Sequence, residues 1–255
     1  MLFAATGLGV FLGHRVRHLS ESLREPFGVL QGALLGVVGL LLAFGLSLAV
    51  SRYEDRRSNI VSEANAIGTT YLRAQTLAEP IRSSSLDLLV RYTRSAVRLS
   101  DQVPGSGEAR DARTQEERIE RRLWSLAGEA LDMAPTASAP RLYVETLNEM
   151  IDGETVRVAA LSNRVPTAVL VLEVLGSALA LGLLAAYLAI VGRGVLAVLL
   201  AAALVAFLLL VTADLDRPTR GMIQVPDTVL KNQLESMTEP PAAAAPRSPS
   251  LTPSG

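Results

Sequence analysis

The chain has 255 residues, 49% hydrophobic, 4% aromatic and 19% charged, with a net charge of −1. The charged share falls below the ~25% usual for soluble domains, and near-neutrality gives no global field for nucleic acid. The absence of cysteine excludes disulfides, thiolate metal sites and cysteine nucleophiles.

The apolar residues are gathered into four blocks. The first, residues 1–13, would be about 20 Å long as a helix, short of a ~30 Å hydrocarbon core. It has neither a basic start nor a small-residue cleavage site, so it does not read as a secretory signal. We expect an incomplete first transmembrane helix whose remainder lies upstream, with a half-inserted segment as the alternative. Residues 14–26 form a short basic loop. His14 and His18 stand there at helical spacing and read as solvated rather than as metal ligands.

Residues 27–50 carry no charge over 24 positions and make the second span. Its small residues Gly28, Gly32, Gly36, Gly39, Ala43 and Ser47 follow steps of three and four, so they share one face. Such a stripe lets backbones approach closely in lipid. It reads as a helix-packing face or, in an oligomer, as a pore wall.

Residues 51–165 read as an all-helical domain. Ile60, Ala64, Ile67, Tyr71 and Ala78 extend the second span into one long helix, which Glu79-Pro80 breaks. A helix over about 80–100 turns Leu86, Leu89, Ala96 and Val97 inward. Another over about 109–133 does so with Ile119, Leu123, Leu126 and Ala130. A last one, about 140–165, does so with Leu147, Ile151, Val158 and Leu161.

Residues 166–191 make the third span, with small residues Ala178, Gly182, Ala186 and Ala189. Glu173 lies inside it, and an intramembrane ionisable group is a functional hypothesis by default. The plainer reading places it near the interface or pairs it with Arg52 or Arg164. Residues 192–194 give a tight reversal and 195–213 a fourth span. Residues 214–237 hold a short helix that Asp227 would cap. Residues 238–255, rich in Pro, Ala and Ser, are expected to be disordered.

No phosphate loop, dinucleotide fingerprint, nucleophile elbow or zinc-protease pattern appears. The sequence therefore points to no enzyme, cofactor or metal. Asp214 and Asp216 could bind a cation, but pairing with Arg217 and Arg220 explains them more simply.

Three segments carry a family resemblance. Arg52-Tyr53-Glu54-Asp55-Arg56-Arg57 leads into Glu63-Ala64-Asn65-Ala66-Ile67-Gly68-Thr69-Thr70-Tyr71. Leu147-Asn148-Glu149-Met150-Ile151-Asp152 follows later, then Asp214-Leu215-Asp216-Arg217-Pro218-Thr219-Arg220-Gly221. The chain, over about residues 25–233, resembles the bacterial bestrophin-like membrane proteins, which are distantly similar to bestrophins. The resemblance implies an oligomeric anion channel with four membrane helices, a cytosolic helical domain between the second and third, and a pore lined by the second. On the second span only Phe44 and the leucines could supply an apolar pore neck. Calcium gating does not carry over, because Asp214 and Asp216 are all that corresponds to an acidic clasp.

The expected fold is thus all-α, with four membrane helices and a helical cytoplasmic domain, in a bacterial plasma membrane. The expected partners are the lipid bilayer, further copies of the chain and anions. The alternative function is a non-conducting scaffold or sensor whose helical domain binds a partner. Orientation follows from basic residues near the span ends. Arg52, Arg56, Arg57, Arg157, Arg164, Arg217, Arg220 and Lys231 lie on the side of the helical domain. Arg15, Arg17, Arg24 and Arg193 lie on the other. In intact cells Gln115→Cys should therefore be shielded from an impermeant thiol reagent and Arg193→Cys labelled; the reverse pattern would place the domain outside.

Overall fold

The computed structural model describes residues 1–16, 24–192, 194–217 and 221–241. Among them are eight α-helices and no strand: α1 (Leu2–Val16), α2 (Arg24–Ala74), α3 (Ile81–Ser100), α4 (Gly107–Met133), α5 (Ser138–Ser162), α6 (Thr167–Val191), α7 (Val195–Leu215) and α8 (Thr228–Ser236). They fall into two compact units. Three stretches, within Glu25–Ala74, Ser138–Val191 and Leu196–Leu215, are long and apolar enough to cross a membrane. They lie on α2, α6 and α7, and the chain is a membrane protein. At 15 residues, α1 is not among them.

The first unit comprises residues 1–53, 164–217 and 221–223. Val38, Leu42 and Ala49 of α2 pack against α6 and α7 through Ala180, Val205, Leu209 and Leu215. Leucines and phenylalanines on the outward faces, among them Phe11, Leu40, Leu175 and Phe207, remain exposed, as lipid-facing positions require. Two buried threonine hydroxyls are satisfied within their own helices: Thr6 donates to the Leu2 carbonyl at 2.8 Å and Thr212 to that of Leu208 at 2.9 Å. The α6–α7 reversal depends on two left-handed glycines, Gly192 (φ 77°) and Gly194 (φ 98°), a conformation costly for any residue with a Cβ.

Helices α1 and α6 approach each other backbone to backbone. A Cβ on Gly9 would run into the Gly182 carbonyl, and one on Gly13 into that of Ala186. Gly9 and Gly13 stand four apart, a GxxxG pair whose role is to remove side-chain bulk between two backbones. The run Gly182, Ala186, Ala189 on α6 is thus occupied by α1.

The second unit comprises residues 54–163 and, after the membrane helices, 224–241. Its core joins the outer part of α2 (Ile60, Ala64, Ile67, Tyr71) to α3 (Leu89, Tyr92), α4 (Leu123, Leu126), α5 (Tyr143, Leu147, Met150) and α8 (Leu230). Ser106 caps α4, its hydroxyl accepting from the Ala109 N–H at 3.1 Å. Arg56 is buried and donates to the carbonyls of Ala160 at 3.3 Å and Asn163 at 2.9 Å. A cation there satisfies open carbonyls at the α5 C-terminus and complements its dipole.

Several boundaries differ from the sequence reading. Helix α1 reaches Val16 and α2 starts at Arg24, so the basic loop is shorter than 14–26. Helix α2 stops at Ala74 and Ala78 is not on it: Leu77 folds into the core, and Arg82 donates to the Gln75 carbonyl at 2.9 Å. Helix α5 stops at Ser162, where the C-cap Asn163 turns to extended backbone. Asp227 occupies the N-cap position of α8 without capping it. Its carboxylate instead pairs with Lys231 at 2.8 Å. Val158 and Leu161 are only partly buried; Glu154 and Arg157 take the inward positions of α5. Arg17, His18, Arg193, Pro218, Arg220 and the tail from residue 242 lie outside the described residues.

Overpacking a close contact typically costs about 1–3 kcal/mol. Gly9→Ala should therefore lower the melting temperature in detergent, whereas Gly7→Ala, whose Cβ meets nothing within 4 Å, should not. Equal melting of the two variants would show that α1 does not hold α6 in this way.

Candidate functional site

In the membrane unit the small residues of α2 divide into two sets. Gly28 lies against Tyr187, whose hydroxyl would sit 3.3 Å from an added Cβ. Gly32, Gly36 and Gly39 would meet nothing within 4 Å. Ala43, Phe44 and Ser47 are exposed along with them. The helix packs within its own chain on another face, through Val38, Leu42, Gly45 and Ala49. The stripe is therefore not the contact that holds this chain together.

Gly45 has a different role. A Cβ there would overlap the carboxylate of Glu173, so the glycine makes room for an acidic side chain on the facing α6. Glu173 is 1% exposed. Neither of its oxygens has a hydrogen-bond partner among the described residues, and neither Arg52 nor Arg164 pairs with it. Ser177, one turn on, is equally buried and its hydroxyl is also unpartnered.

Asp214 and Asp216 both accept backbone N–H groups. Asp214 accepts the N–H groups of Met222 at 3.0 Å and Ile223 at 2.9 Å, closing the chain back after α7. Gly221 fits because an added Cβ would come within 2.6 Å of Asp214 Oδ1. Asp216 accepts the N–H of Val165 at 2.7 Å, tying the end of α7 to the start of α6. Arg217 is exposed. Among the described residues no group of three or more His, Asp or Glu side chains is placed to hold a metal ion.

The helical unit buries an ionic cluster that the apolar periods do not announce. Arg157 of α5 pairs with Glu63 of α2 and, at 3.5 Å, with Glu116 of α4. All three are nearly inaccessible, at 2%, 0% and 0% exposure. Tyr92 of α3 donates its hydroxyl to Glu63 at 3.3 Å. Glu154 of α5 stands by, 4.0 Å from Arg113. Burial disfavours charge on Arg157, but Glu63 and Glu116 hold it protonated. Burial raises Glu63 against the opposing pull of Arg157, and pushes Glu116 to about 8. Of the other motif residues, Asn65 is exposed and Asn148 donates to Asp152 at 3.0 Å. Arg52 is half-buried.

Removing one partner of a buried pair strands the other and typically costs about 3–5 kcal/mol. Arg157→Met should thus lower thermal stability sharply, and adding Glu63→Gln should recover part of the loss. A double variant no better than the single would mean that the pair is not what holds these helices.

A family model for the bestrophin-like domain matches residues 1–230. Among curated proteins none matches the chain. Among solved structures it is similar to a bacterial bestrophin homologue from Klebsiella pneumoniae. One structure of that protein gives a TM-score of 0.66 at 15% identity, covering 93% of this chain and 97% of the other. Two point variants give TM-scores of 0.69 at 17% and 18% identity, covering 92% of this chain and 97% and 94% of theirs. With an all-helical fold, three apolar spans and a family match over nearly its whole length, the chain belongs to the bestrophin-like family.

Proposed function

We propose that the chain assembles with copies of itself into a membrane channel, with anions as the permeant class. Helix α2 lies at the axis, and its stripe of Gly32, Gly36, Gly39, Ala43 and Ser47 forms a subunit contact or pore wall. Phe44 and neighbouring leucines supply an apolar constriction. Helix α1 completes a fourth membrane helix, the helical unit faces the cytoplasm, and the membrane is the bacterial plasma membrane.

The observation that carries this reading is the emptiness beside the stripe. Gly9, Gly13 and Gly45 are each used by a neighbouring helix, whereas Gly32, Gly36 and Gly39 face open space. A glycine in a helix costs roughly 0.5–1 kcal/mol relative to alanine, and a surface turned only to lipid gains nothing from aligned glycines. Membership of the bestrophin-like family supports a channel.

The test measures oligomer size in detergent and halide efflux from liposomes. Gly36→Leu should reduce oligomer stability if the stripe is a subunit contact, or reduce flux with assembly intact if it lines the pore. Gly36→Ala, adding one methyl, should change little. A wild-type protein that is monomeric and carries no ion would overturn the channel reading and leave a scaffold or sensor. Unchanged size and flux in Gly36→Leu would place the stripe against lipid.

A further inference from the structure

The ionic cluster of the helical unit holds more carboxylates than cations. Glu63 comes from α2, Glu116 and Glu120 from α4, and Glu154 from α5. The cations facing them are Arg157, buried, and Arg113, half exposed. Tyr92 from α3 completes the set, and Glu117 shares Arg113 from the outer side at 3.5 Å. With every group ionised, the four inner carboxylates outnumber the two arginines two to one, with Glu63, Glu116 and Glu154 buried and Glu120 partly buried.

The hydrogen bonds are also out of balance. Glu116 Oε1, Glu120 Oε1 and Glu154 Oε1 are all buried without a hydrogen-bond partner. An ionised carboxylate only accepts, so facing carboxylates cannot satisfy one another; a protonated one gains an O–H that can donate to its neighbour. Like charges this close in a poorly solvated site cannot all ionise. The geometry offers no metal-binding group to offset the excess among the described residues.

We propose that this cluster is a proton-binding site: at neutral pH a proton is held among Glu63, Glu116, Glu120 and Glu154, and its release as the pH rises loosens the helices packed around Arg157. The burial of these groups points the same way. Glu116 is pushed up to about 8 and Glu120 to about 7, in both cases first by burial; Arg157 pulls Glu116 the other way, and neighbouring carboxylates push both further up. The sign follows directly. A carboxyl whose affinity for the proton is raised in the folded state holds it where the unfolded chain has released it. Stability from that proton is complete at low pH, declines as the pH rises above the ordinary carboxylate range, and is gone once the pH passes about 8. Glu63 stands on α2, so the protonation state acts on the helix that also carries the membrane stripe.

The test is thermal unfolding of the full chain in detergent at pH 6 and pH 9. The wild type should lose roughly 5 °C or more over that interval. Glu116→Gln, a neutral mimic of the protonated acid, should lose much less and should melt above the wild type at pH 9. Infrared difference spectra between the two pH values give a second readout, in which the wild type should lose a neutral-carboxyl band on going to pH 9. Should Glu116→Gln fail to fold, Glu120→Gln takes its place, and the lost band should be smaller in it. A wild type with the same melting temperature at both pH values and no carboxyl band would overturn the proposal. So would a Gln variant whose pH dependence equals that of the wild type. None of these measurements depends on ion conduction, so they stand apart from the channel reading.

Discussion

Helix α2 runs for 51 residues and contributes to both units, so one unbroken backbone ladder has to serve two surroundings. In hydrocarbon a helix is the only open-ended way to satisfy backbone polar groups; outside it, the same ladder must be stabilised by packing. The buried positions of α2 meet both needs. Val38, Leu42, Gly45 and Ala49 recur at steps of three and four in the membrane unit. Ile60, Glu63, Ile67, Thr70 and Ala74 do so in the helical unit. What changes is chemistry. The first set is apolar or absent as a side chain; the second admits a carboxylate and a hydroxyl, because Arg157 and the Thr146 carbonyl are there to receive them.

Buried charge is handled differently in the two units. In the helical unit carboxylates from two helices, α2 and α4, meet one guanidinium from a third, and a tyrosine hydroxyl adds a donor. A fork with five donors suits that role better than an ammonium would. Such a cluster contributes specificity of packing more than net stability, since desolvation offsets much of the Coulomb gain. In the membrane unit Glu173 stands with no partner among the described residues, against a glycine that gives it space. Family membership and the likeness in fold do not by themselves require a carboxyl at that place, and it sits apart from the exposed stripe of α2.

The 214–223 segment shows how an acidic motif can serve architecture. Two carboxylates one residue apart look like half a cation site. Here their lone pairs are taken up by the N–H groups of Val165, Met222 and Ile223. Charge-assisted bonds of this kind are among the stronger ones available to a chain leaving a helix, and they fix the ends of α6 and α7 in the membrane unit.

Composition and period alone were enough to establish an all-helical membrane protein. Long uncharged runs have no other stable form in lipid, and three-and-four spacing of Ile119, Leu123, Leu126 and Ala130 has no strand reading. The segments around Arg52, Asn148 and Asp214 were enough to point to the family. The sites were less legible, because a residue's role depends on what faces it across large sequence distances. Glu63 was visible in a motif, but its partners stand 29 and 94 positions away at Tyr92 and Arg157. Nothing local distinguishes a buried glutamate from a solvated one beside the same stripe. Gly9 and Gly13 lie in a block too short to stand out as a span, although their four-residue spacing is a usable signal. The stripe on α2 and the run on α6 look alike in sequence. Only tertiary packing separates them, since one is filled by α1 and the other faces open space: a glycine marks where a backbone can come close, and the fold decides whether one does.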